Sequence, residues 1–104
     1  MDRQKFMRAV DTLRGVGETY SLGDIMGENV RAWKLSGKTL YICMSDSESR
    51  RMIAGELKSQ SIRDRVIGAF FNNFDSRVLS VRVVVVPVSR VELEATAILN
   101  RLNF

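Results

Sequence analysis

The sequence predicts an α+β domain in which helices pack on a small three-stranded sheet. Three observations carry this. Apolar residues recur at spacings of three and four in separate stretches, as in helices with one buried face. Runs rich in β-branched residues at 30–35, 39–44 and 78–86 read as strands. The link Ser36-Gly37-Lys38 joins the first two strands and supplies the glycine that a tight hairpin turn needs. At 104 residues the chain has the length of one domain.

The elements follow in order. Residues 3–14 form a first helix, with Phe6, Val10 and Leu13 on one face and Met7 beside it. Gly15-Val16-Gly17 ends it, because two glycines cost too much helix propensity to sit inside. A short helix follows at 21–26, with Ser21 as N-cap, Asp24 in its first turn and Gly27 as its stop. In the second strand Leu40, Ile42 and Met44 share the core face, and Thr39, Tyr41 and Cys43 share the other. Trp33 either joins Tyr41 in an apolar patch on that second face or packs under a helix, and large aromatics favour burial.

Ser45-Asp46-Ser47-Glu48 reads as a capping box, with Ser45 as the cap and a helix over 46–58. Met52, Ile53 and Leu57 turn inward, and Arg50, Arg51, Glu56 and Lys58 stay solvated. Ser61 with Asp64 caps the next helix, 61–73, where Ile62, Val66, Phe70 and Phe74 form a stripe. The run 78–86 is apolar on both faces apart from Ser80 and Arg82, which predicts a central strand. Pro87 ends it, having no N–H for the ladder. Val91, Ala95, Ile98 and Leu102 mark a last helix, 91–102, so that 87–104 is a docking helix or a linker.

Composition narrows the chemistry. With no histidine, the chain builds neither a Ser-His-Asp triad nor a histidine metal site. One cysteine, Cys43, forms no internal disulfide, and it suits a reduced, cytoplasmic setting. No apolar run reaches the ~18 residues of a membrane span. No cofactor motif is found. The net charge of +4 is compatible with nucleic-acid contact without demanding it.

Gly37-Lys38-Thr39 invites a phosphate-loop reading. That loop needs a glycine where Ala32 stands and a helix after the threonine, whereas a strand follows here. The strand-helix-helix-strand order is that of a KH module, which clamps single-stranded nucleic acid with a Gly-x-x-Gly loop between its helices. The sequence has no Gly-x-x-Gly, and the inter-helix segment is Leu57-Lys58-Ser59-Gln60-Ser61. Arg50, Arg51, Lys58, Arg63 and Arg65 cluster on the two middle helices, interleaved with Glu48, Glu56 and Asp64 as on a solvated face.

Gly37-Lys38-Thr39-Leu40-Tyr41-Ile42, the capped helix, the stripe Ile62 to Phe74 and the valine-rich last strand together resemble a known arrangement. It is that of the domain following the ATPase and collar portions of the bacterial DNA polymerase III gamma/tau subunit. The helical lead-in, Phe6 to Leu13 and Leu22 to Met26, matches as well, although Phe6 stands where many members carry tryptophan. The N-terminal domain of the bacterial replication initiator and a family of small helicase-loading proteins are similar in element order. The resemblance implies a KH-like, non-catalytic protein-interaction domain within a larger clamp-loader protein, whose ATP site lies outside these residues. Its partners would be polymerase or helicase subunits, with no membrane involved. The expected contact residues are Trp33, Tyr41, Arg50, Arg51, Lys58 and Arg63. The alternative is a KH-like single-stranded nucleic-acid binder using the same cations and an exposed aromatic.

Overall fold

The computed structural model describes residues 2–85. In chain order they form α1 (Asp2–Thr12), α2 (Leu22–Asn29), β1 (Val30–Ser36), β2 (Thr39–Met44), α3 (Ser47–Glu56), α4 (Gln60–Asn73) and β3 (Ser80–Val85). The fold is α+β, with a mixed sheet in the order β1-β2-β3, β1 antiparallel and β3 parallel to β2. The expected helix at 91–102 lies outside the described residues.

The predicted helix stripes make the core. Phe6, Ala9 and Val10 of α1, with Leu13 just after it, pack with Ile62, Val66, Ala69 and Phe70 of α4 over Leu40, Ile42 and Met44 of β2. Phe6 is its aromatic centre. Its ring stacks on Trp33 at 4.0 Å, lies tilted against Phe70 at 5.1 Å and meets Phe74 edge-on at 5.9 Å. Burying such a ring is a large share of what a domain this size has, since Phe→Ala in a core costs about 3–5 kcal/mol.

The hairpin forms as expected, with Ser36 opposite Thr39 and Gly37 at φ 60° in the turn. The Lys38 carbonyl then accepts the Leu79 and Ser80 N–H groups at 2.8 and 3.1 Å, so the turn that joins β1 to β2 also seats the start of β3. A register shift between Val30 and Ala32 lets Val30 rejoin Trp33 and Leu35 on the core face. Without that extra residue the period-two alternation would turn Val30 outward.

Several boundaries and caps differ from expectation. The central strand is β2, not β3. The valines of β3 are half-buried, whereas Leu40, Ile42, Cys43 and Met44 of β2 are fully buried. The both-faced apolar run in β3 therefore reflects strand propensity more than burial on two sides. Gly27 does not stop α2, which runs on to Asn29 and passes directly into β1. Ser21 is its N-cap by position, but its hydroxyl accepts from the Gly15 N–H at 2.7 Å and so ties the α1–α2 loop.

The cap of α3 is Asp46, not Ser45: its carboxylate accepts from the Ser49 N–H at 2.7 Å and the Ser49 hydroxyl at 3.0 Å. The Ser45 N–H still donates to the Asn29 carbonyl at 2.7 Å, so the chain stays extended one residue longer. The bonds from Ser49, led by its N–H, hold the Asp46 carboxyl below its usual range. The cap of α4 is Ser59, not Ser61, and Asp64 instead accepts from the Gln60 side chain.

Candidate interaction surface

The surface is set by how α3 and α4 are fixed to the rest of the fold, and Glu56 is the main fixture. It was expected in solvent. It is instead 7% exposed, and its carboxylate accepts three successive backbone N–H groups, from Glu18 at 2.8 Å and from Thr19 and Tyr20 at 2.9 Å each. Those bonds hold its carboxyl below the ordinary range. Glu56 is the last residue of α3, where the helix dipole disfavours a negative charge. The loop supplies the compensating N–H groups, a backbone concavity of the kind that binds anions. Gly17 makes the concavity possible: its φ is 134°, and a Cβ there would lie 1.9 Å from the Tyr20 carbonyl oxygen. An acid at a helix C-terminus was the one sequence signal for this contact.

The expected contact residues do not all lie on one surface. Trp33 and Tyr41 lie on opposite faces of the sheet. Trp33 pairs with Ile42 on the core face and is half-buried against Phe6, whereas Tyr41 lies between Lys34 and Arg82 on the other face. The patch combining the two rings does not form, because cross-strand partners share a face and Trp33 is one residue out of step. Arg50 and Lys58 are exposed. Arg51 is held by Glu48, on its own helix. Arg63 is half-buried and donates to the Leu57 carbonyl at 3.1 Å and to the Gln60 side chain.

The link between α3 and α4 is Leu57-Lys58-Ser59, and it is used up internally. The Lys58 and Ser59 N–H groups donate to the Gly55 and Glu56 carbonyls at 3.3 and 3.2 Å. The Ser59 hydroxyl caps α4. A KH clamp works through close backbone approach to the phosphates, and here those amides close the end of α3 instead.

A different surface is assembled where the N-terminal half of α1 meets the C-terminal end of α4. Two adjoining hollows share Lys5, Phe74 and Asp75. One extends over Trp33, Lys34 and Arg77, the other over Arg8, Phe71 and Asn72. Phe71 is 41% exposed, one of two large apolar side chains so exposed among the described residues. Asp75 is clamped by Arg77, whose guanidinium and N–H, with help from Lys5, hold its carboxyl at about 2. This surface was not legible in the sequence. The i, i+3 pair Lys5 and Arg8 and the off-stripe Phe71 were visible, but the packing of α1 on α4 that joins them is long-range.

Among the described residues no group of three or more His, Cys, Asp or Glu is placed to hold a metal, and no helix is long and apolar enough to cross a membrane. The fold is that of a small α+β domain with a KH-like element order. Comparison with protein-family models, curated proteins and solved structures finds no match to this chain.

Proposed function

We propose that this chain is a non-catalytic protein-interaction domain of a bacterial, cytoplasmic DNA replication protein, of the type found in the DNA polymerase III gamma/tau subunit. It tethers a polymerase or helicase subunit through its surface. The observation that carries the binding reading is the commitment of five carboxylates to bonds within the fold. Glu56 closes the α1–α2 loop, Asp46 caps α3, Asp24 and Asp11 hold Arg14, and Asp75 holds Arg77. On α3 the exposed Glu48 and Arg51 pair with each other, and the remaining outward charges on α3 and the α3–α4 link are Arg50 and Lys58. The replication assignment rests on the sequence resemblance. Nucleic-acid clamping at the α3–α4 link is the weaker reading, since the Lys58 and Ser59 amides are already used.

Calorimetric titration of the chain into purified polymerase III α subunit, and separately into the replicative helicase, tests this. Binding to one of them is expected, with Arg50→Glu/Lys58→Glu weakening it by about fivefold or more. Failure to bind either overturns the proposal. A genomic reading frame that places a nucleotide-binding ATPase upstream of this segment supports the gamma/tau parent, and a frame without one removes it.

A further inference from the structure

The hollows between α1, α4 and the edge strand β1 have a composition the tethering role does not use. Lys5 and Arg8 lie one helical turn apart on α1, on the same side. Arg77 and Lys34 extend the positive charge toward β1, and Asp75 is the one carboxylate lining either hollow. Four cations against one carboxylate leave a net of three positive charges. The rings of Phe71, Phe74 and Trp33 lie among them. Asn72, exposed on the same rim, offers an amide donor and acceptor.

We propose that this surface binds single-stranded nucleic acid, with Lys5, Arg8 and Arg77 on successive phosphates and Phe71 stacking on an unpaired base. A phosphodiester strand carries both charges and planar rings, and the hollows bring cations and aromatic side chains together on one surface. An acidic peptide would satisfy the cations but leave Phe71 without a planar partner. A duplex keeps its base faces stacked and out of reach. The site lies on α1 and the far end of α4, away from the α3–α4 link where a KH clamp would sit. It stands independently of the tethering role.

Fluorescence anisotropy with a labelled oligothymidine of about 20 nucleotides, using the full chain at low salt, tests it. Binding is expected, with log affinity falling against log salt at a slope of about −2, as three phosphate contacts on a single strand require. Lys5→Glu/Arg8→Glu lowers affinity about tenfold or more and flattens that slope. Phe71→Ala lowers affinity about tenfold and leaves the slope unchanged, because stacking is not ionic. Thermal melts check that the variants fold. Lys5→Gln/Arg8→Gln, which removes charge without reversing it, moves affinity in the same direction by a smaller factor.

No detectable binding at low salt overturns the proposal. So does binding that survives both sets of substitutions, or that is lost in Arg50→Glu/Lys58→Glu instead. A glutamate-rich peptide that binds as tightly, with the same dependence on Lys5 and Arg8, assigns the surface to an acidic protein and also overturns it. None of these outcomes touches binding to a polymerase or helicase subunit, which is measured separately.

Discussion

Replacing Glu56 should be the most damaging change of a single charged residue in this domain. Its carboxylate receives three backbone N–H groups at 2.8–2.9 Å and is nearly buried. Hydrogen bonds to a charged group contribute about 1.5–3 kcal/mol each. Two reductions apply. Glu18 and Thr19 are exposed, so water replaces the carboxylate there once it is removed. Removing a negative charge from the end of α3 also returns about 0.5 kcal/mol. Glu56→Ala is therefore expected to cost about 3 kcal/mol. For a domain this size that lowers the melting temperature by roughly 15 °C.

Glu56→Gln keeps one acceptor and places an amide donor against the N–H groups, for about half that loss. The pH dependence separates this contact from simple packing. The folded carboxyl lies below the unfolded value of 4.5, so its stabilisation is complete above that value and is lost as pH falls through the lower folded one. The gap between the wild type and Glu56→Gln is thus widest near neutral pH and closes on acidification. Thermal melts followed by circular dichroism across that range are the assay. A Glu56→Ala melt within about 3 °C of wild type, or a gap that does not change with pH, refutes the reasoning.

Other substitutions test the same architecture. Gly17→Ala forces a side chain onto φ 134° and into the Tyr20 carbonyl, and is expected to cost about 2–3 kcal/mol in urea unfolding. Gly23→Ala places a Cβ 2.4 Å from the Arg14 backbone nitrogen and 2.6 Å from the Val10 carbonyl, wedging α2 from α1 at a cost of about 2 kcal/mol. Gly55→Ala and Gly68→Ala, both helical with open space at the new Cβ, are each expected to stabilise by about 0.5–1 kcal/mol, read as a higher urea midpoint. Phe6→Leu removes the ring stacked on Trp33, the single tryptophan, so its emission should shift to the red while far-ultraviolet circular dichroism is retained.

Local patterning by itself determined most of the element plan. The Phe6-Val10-Leu13 and Ile62-Val66-Phe70 stripes, the Gly37 hairpin and the core face of β2 all formed where the spacing put them. Periodicity and turn chemistry act within a few residues, so one stretch of chain carries the whole signal. The caps were found only to within a residue or two. Several short polar side chains compete for the same few N–H groups, and with the Ser45 N–H bonded to Asn29 it is Asp46 that caps α3.

What only the tertiary structure decided is which distant segments meet. Glu56 bonds to a loop 36–38 residues earlier in the chain, β2 and not β3 is central, and Trp33 and Tyr41 part to opposite faces. Lys5 and Phe71 reach one surface only because α1 packs on α4. A side chain's own neighbours in sequence do not encode such partners. They follow from how amphipathic faces pair when the core closes, and that pairing turned a solvated-looking acid into a buried anchor.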